Sequence, residues 1–157
     1  PDLVAELCEN FYWSRVGEIP PGLGPFYLMP VFSFDDGHIC IRGVSTQIYK
    51  SQGLEGVPDY TEKQHEALDY FKATVEKLSF DMEFRPGDIQ VLHNHVILHS
   101  RRGYEDWPEP ERRRHLLRLW IRDDAGRPLM PEYMKAISGI ELEGVELNTP
   151  LDVPLTG

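Results

Sequence analysis

Three histidines and two arginines carry the residue types from which a site could be built. They are His93, His95 and His99, followed by Arg114 and Arg118. Neutral imidazole is the commonest metal-ligating side chain. Side chains alternate across a strand, so on one unbroken strand these three odd-numbered histidines would face the same way and make a three-histidine metal site. Asn94 speaks against that strand, because asparagine favours turns and would break the register. A histidine beside an apolar run is also more often a hydrogen-bonded core residue than a ligand. Spacing alone therefore carries the metal reading poorly.

The arginines pose a different question. If residues 114–120 are extended, Arg114, Leu116, Arg118 and Trp120 share one face, and His115, Leu117, Leu119 and Ile121 share the other. A buried guanidinium without a partner is costly. Arg114 and Arg118 then pair with carboxylates of the protein, lie on a solvent-facing sheet surface, or receive an anionic ligand. A planar guanidinium suits a carboxylate better than an ammonium does, because its fork meets both oxygens.

The elements that would position these residues read as strand, loop, strand between Arg85 and Arg122. Pro86-Gly87-Asp88 is a turn signal, and Ile89 to Leu92 is apolar enough for a buried strand. Gly103 to Pro110 is a polar, exposed loop, and His115 to Ile121 is the second strand candidate.

The run NHVILHSR, followed by RHLLRLW, resembles the C-terminal signature of the taurine dioxygenase/TfdA-like family. Those proteins are iron(II)- and 2-oxoglutarate-dependent dioxygenases on a double-stranded β-helix (a jelly roll of the clavaminate synthase-like kind). The family segment that ends in an iron-ligating His fits Asn94 to His99, and the later R-x-x-x-R strand fits Arg114 to Arg118. The resemblance extends over most of the chain, including the FYW run near its start. It implies a mainly β fold with flanking helices, of which residues 1–157 would be the C-terminal part.

On this resemblance His99 is the distal ligand of a two-His-one-carboxylate iron site. Arg114 binds the distal carboxylate of 2-oxoglutarate. Arg118 meets either that cosubstrate or an anionic group on the substrate. His93 and His95 shape the pocket or the turn, and no catalytic residue beyond the metal ligand is implied. The implied reaction oxidises a small, anionic organic substrate with release of succinate and CO2. One departure is large: the family's proximal H-x-D or H-x-E triplet does not occur, since His38 is followed by Ile-Cys and His65 by Glu-Ala. We therefore expect the N-terminal part of the same enzyme to supply it, a reading that the first residues, Pro-Asp without Met, also favour. The alternative is a non-catalytic jelly-roll module that binds a small carboxylate and has lost iron.

Composition fits an ordinary domain by length: 157 residues, 41% hydrophobic. Half a jelly roll, however, would expose strand edges and an apolar face, so burial by an additional segment is expected. The net charge of −10 disfavours nucleic-acid and anionic-membrane partners. The local arginines 101–102 and 112–114 sit among Glu105, Asp106, Glu109 and Glu111, which reads as a solvated mixed-charge loop. Cys8 and Cys40 make no disulfide framework. No apolar run approaches the length of a membrane span, and a cytoplasmic location is expected. A homo-oligomer is left open.

Taken in order, residues 1–10 read as a helix with Leu3, Val4 and Leu7 as its apolar stripe. The FYW aromatics read as core residues rather than ligand contacts. GEIPPGLGP, from Gly17 to Pro25, is loop. Phe26–Phe34 and Ile39–Val44 frame an Asp35-Asp36-Gly37 hairpin turn, with Pro30 marking an edge or bulge. Arg42, in the second of these strands, faces solvent or makes a second anion contact, the former being favoured. Residues 51–59 are loop. Thr61 to Gln64 is a capping box, opening a helix to Leu78 with an apolar stripe of Ala67, Leu68, Phe71, Val75 and Leu78 and with His65 and Glu66 on its surface. Ser79 to Phe84 reads as a strand with Phe80, Met82 and Phe84 on one side. Residues 123–126 read as a turn, Pro131 to Ile137 as a short helix, and the tail as irregular.

Overall fold

Alternation in the FYW run decides the first half of the molecule. In the computed structural model, which describes residues 1–17, 19, 21–119, 121 and 126, this run forms β1, Asn10–Ser14. Phe11 and Trp13 point inward and are fully buried, as expected for core aromatics. β1 pairs antiparallel with β2, Phe26–Pro30, in the register Phe11↔Met29 and Trp13↔Tyr27. Opposed residues share a face, so Met29 joins the buried aromatics and Tyr27 stacks on Trp13 with ring centroids 6.5 Å apart. The Trp13 indole N–H donates to the Met29 carbonyl at 2.8 Å, which satisfies the one polar atom this large side chain brings inside.

The expected strand from Phe26 to Phe34 is divided in two. β2 ends at Pro30, Val31 is buried, and β3 begins at Phe32 and runs to Asp35. Proline has no N–H for a ladder, so it suits the end of β2, where the sequence signalled an edge or bulge. β3 pairs with β4, His38–Ile41, in a separate two-stranded sheet. Their turn is the expected Asp-Gly one: Asp36 has φ 45° and Gly37 φ 75°, the double positive φ of a type I′ hairpin. The Arg42 N–H donates to the Val31 carbonyl at 2.8 Å, tying the end of this hairpin back to the first sheet.

Among the described residues, three α-helices accompany these hairpins. α1 is Asp2–Leu7, shorter than the expected ten residues, because the chain must be extended by Asn10 to pair with Pro30. Leu7 is buried, Leu3 half-buried, and Val4 lies off the stripe, exposed. α2, Thr46–Lys50, was not expected. Ser45 caps it by accepting from the Gln47 N–H, and Ile48 is its one buried residue. α3, Glu62–Leu78, has the expected bounds. Both halves of its capping box are made: the Gln64 N–H donates to Thr61 Oγ1 at 3.1 Å, and the Thr61 N–H to Gln64 Oε1 at 3.0 Å. Ala67, Leu68 and Phe71 are buried and Val75 is half-buried. The stripe fades toward Leu78, which is exposed. His65 and Glu66 are exposed, as expected.

Tyr60 joins the pieces. Its ring meets Phe11 edge-on at 5.6 Å. Its hydroxyl lies 3.0 Å from the Tyr12 carbonyl, 2.9 Å from the Ile48 carbonyl and 3.3 Å from Ser51 Oγ. The Ser51 hydroxyl itself donates to Ile48 O at 2.7 Å. One tyrosine side chain thereby links β1, α2 and the turn that follows it. Burial pushes the Tyr60 phenol above its ordinary 10.0, and the Ser51 hydrogen bond opposes that rise.

Beyond α3 the described residues contain no strand. The expected strands Ser79–Phe84, Ile89–Leu92 and His115–Ile121 are corrected accordingly, although Trp120 lies outside the described residues. The physical reason is pairing. A strand satisfies its backbone only through a neighbour, and none of these segments has a ladder partner among the described residues. The turn at residues 123–126, except Gly126, the helix at 131–137 and the tail also lie outside the described residues.

Candidate functional site

Pro86-Gly87 makes the expected turn. Gly87 has φ 96°, the Asp88 N–H donates to Arg85 O at 3.0 Å, and Asp88 Oδ2 accepts from the Arg85 N–H at 2.8 Å. The chain doubles back here, and Met82, Phe84, Ile89 and Val91 line an open cleft between the two arms. The arms face one another without forming a ladder.

Asn94 sits in a second turn. The N–H groups of Val96 and Ile97 both donate to the His93 carbonyl, at 2.9 and 3.1 Å. This turn removes the unbroken strand that a three-histidine face would need, as Asn94 suggested. His93 and His95 instead meet edge-to-face with ring centroids 5.9 Å apart. Leu98 then reaches back to the core. It packs against the buried cluster, and a Cβ placed on Gly43 would come within 3.1 Å of its Cδ2. Among the described residues after α3, Leu98 alone joins that cluster. His99 follows directly and is exposed.

The loop after His99 is exposed and mixed in charge, as expected. Arg102 pairs with Asp81 at 2.6 Å, and Arg112 lies 3.3 Å above the Trp107 ring. Arg113 donates to the carbonyls of Trp107 and Pro108, at 3.3 and 3.0 Å. These contacts hold the 107–113 bend, where residues 110–112 make one 3-10 turn. Arg114 is anchored through its backbone, whose N–H donates to Asp106 Oδ1 at 2.9 Å. Its guanidinium lies 5.2 Å from the Tyr104 ring centre. Arg118 is exposed, and so are its neighbours Leu117 and Leu119.

The Leu98 contact thus lies beside His99 and the Asp106 hydrogen bond at Arg114, and among the described residues no contact joins His99 to either arginine. Among the described residues no three His, Cys, Asp or Glu side chains come together as a metal site. The donor set nevertheless fits a share of an iron/2-oxoglutarate site: one exposed imidazole for the metal and two guanidiniums suited to a dicarboxylate.

Sequence reasoning underrated one group. Arg42 is half-buried rather than solvent-facing, with its guanidinium carbon 4.9 Å from the Trp13 ring centre and 5.3 Å from that of Tyr27. Arg15 lies over the same Tyr27 ring at 4.4 Å and donates to the Phe26 carbonyl at 2.8 Å. An arginine two residues after an inward-facing tryptophan was the available signal.

Among the described residues, hairpins of short strands with few helices are consistent with the family that the sequence match defines. Residues 1–120 match the model of the family described as "Taurine catabolism dioxygenase TauD, TfdA family", and the chain belongs to that family. It is 30% identical over 131 residues to FR-33289 synthase of Streptomyces rubellomurinus, covering 81% of this chain and 39% of that protein. It is 33% identical over 133 residues to the taurine hydroxylase-like protein SAT17 of Stachybotrys chartarum, covering 79% of this chain and 32% of that protein. The chain therefore spans less than two-fifths of the curated relatives it matches. No helix among the described residues is long and apolar enough to cross a membrane.

Proposed function

We propose that residues 1–157 form the C-terminal part of a double-stranded β-helix domain that uses iron(II) and 2-oxoglutarate to oxidise a small, anionic organic substrate, releasing succinate and CO2. The observation that carries this reading is the family match across residues 1–120, a span that contains Asn94–His99 and Arg114–Arg118. The naming of the two relatives as a synthase and a hydroxylase-like protein supports an oxidative activity.

In this reading His99 supplies one imidazole to the metal. The other two ligands, an H-x-D or H-x-E pair, come from the remainder of the same polypeptide. Bound iron would supply the redox chemistry that couples 2-oxoglutarate decarboxylation to substrate oxidation. The chain's own residues bind and orient. Arg114 offers its fork to the distal carboxylate of 2-oxoglutarate, and Arg118 meets the cosubstrate or the substrate's anionic group. Exposed apolar residues at 80–121, such as Phe80, Ile89, Val91, Leu117 and Leu119, support the idea that these segments become strands against the rest of the domain.

The test is anaerobic addition of iron(II) and 2-oxoglutarate to the complete polypeptide, read by the visible charge-transfer band and then by succinate formation. His99→Ala is expected to abolish both. Arg114→Ala is expected to keep iron and weaken 2-oxoglutarate by about 2–5 kcal/mol, since one partner of a desolvated charge pair is removed. Unchanged turnover in His99→Ala would sink the ligand assignment. A second reading is a jelly-roll module that binds a small carboxylate without iron. It requires 2-oxoglutarate binding that is indifferent to iron.

A further inference from the structure

Arg15 and Arg42 converge on one aromatic platform outside the candidate site. Both guanidiniums lie within 5.3 Å of the Tyr27 ring centre, and Arg42 also covers Trp13. Both arginines are half-buried. Like charges placed together repel, and partial burial strengthens that repulsion. Carboxylates would relieve it, yet the ion pairs among the described residues are Lys63–Glu6, Arg102–Asp81 and Arg112–Glu109. Neither arginine takes part. Arg15 spends one donor on the Phe26 carbonyl, and the Arg42 side chain meets only rings among the described residues. A guanidinium carries five N–H donors, so others on both half-buried side chains are open to solvent or to a ligand. Burial pushes the Tyr27 phenol up, and the fields of Arg42 and Arg15 pull it back down, so both charges are felt at its hydroxyl.

We propose that Arg15, Tyr27 and Arg42 form a binding site for an oxyanion, a carboxylate, sulfonate or phosphate group, separate from Arg114 and Arg118. The rings hold the two guanidiniums in place at little entropic cost, leaving their edges and the Tyr27 hydroxyl as donors. The site adjoins the segment that carries His99, because Gly43, next to Arg42, lies against Leu98. The oxyanion has two possible sources: the charged end of a small molecule, or an Asp or Glu side chain from elsewhere in the polypeptide. The proposal does not depend on iron.

The experiment titrates the complete protein, 15N-labelled at tryptophan, with sodium sulfate against sodium chloride at constant ionic strength. The readout is the Trp13 indole N–H resonance, assigned with Trp13→Phe or, should that variant not fold, by its through-space contact with the stacked Tyr27 ring. Arg15→Met and Arg42→Met keep an apolar stem over the rings while removing the charge. A saturable sulfate shift in the wild type and in Arg114→Met, with its midpoint weakened tenfold or more in Arg15→Met and Arg42→Met, is expected for a small-molecule site. If no shift occurs, a carboxylate of the polypeptide already fills the site. Arg42→Met should then lower the melting temperature by several degrees at low salt, and by much less in 1 M sodium chloride. A sulfate shift unaffected by both Met variants overturns the proposal. So does the absence of both the shift and the salt-dependent loss.

Discussion

Residues 2–78 and residues 79–121 are built from the same kinds of apolar residue, yet every buried side chain among the described residues belongs to the first region. The difference lies in where each segment's backbone partners are found. β1 meets β2 across the eleven residues 15–25, β3 meets β4 across two residues, and the helices close their own hydrogen bonds. Apolar faces brought together this way bury Phe11, Trp13, Leu68 and Phe71. In the second region the turns form, because Pro86-Gly87 and Asn94 need only neighbours a few residues away. The extended segments between those turns have no ladder partner among the described residues. Local signals thus produce local structure in both regions, and only the first can convert it into burial.

Core substitutions break this comparison most severely. Trp13→Ala removes the largest fully buried side chain and leaves the Met29 carbonyl without its donor, so a loss of about 3–5 kcal/mol in chemical denaturation is expected. Tyr60→Phe keeps the ring and deletes the hydroxyl that links β1 and α2. About 1–2 kcal/mol should be lost, measured the same way. The same variant sharpens the pH behaviour. The folded Tyr60 phenol is raised above 10.0, so it holds its proton where the unfolded chain has released one. Its contribution is fully present below pH 10 and is lost as pH climbs through the folded value; Tyr60→Phe should fall less steeply there than the wild type. Thr61→Ala breaks half of the capping box and should cost about 1 kcal/mol. Leu117→Ser, in the second region, should change the unfolding free energy of this chain by less than about 0.5 kcal/mol. A loss comparable to that of Trp13→Ala would show that the second region is packed.

What the sequence revealed follows the same division. The capping box at Thr61, the Asp36-Gly37 turn, the buried FYW aromatics and the Pro86-Gly87 turn were all legible, since each rests on a few neighbouring residues with a local physical effect. α2 was not, because a five-residue helix with one buried residue has no periodicity to read. The split at Pro30 was half legible: the proline signalled an interruption, but which strand each half would join depends on β1 and β4. His99, Arg114 and Arg118 rest on motif and order alone. Their mutual geometry was not legible, because no local signal ties a histidine at 99 to arginines 15 and 19 residues further on. Arg42 was misread as solvent-facing because its contacts, Trp13 and Tyr27, come from two other strands.

The central claim is that residues 79–121 carry the ligand-binding side chains and gain strand structure only against the rest of the domain. Amide hydrogen exchange at residues 89–92 and 114–119, measured in this chain and in the complete polypeptide, tests it most directly. The account expects rapid exchange in this chain, beside protected amides in β1, β2 and α3, and strong protection of both segments in the complete polypeptide. Protection of residues 89–92 and 114–119 already in this chain, or rapid exchange in both forms, would contradict it.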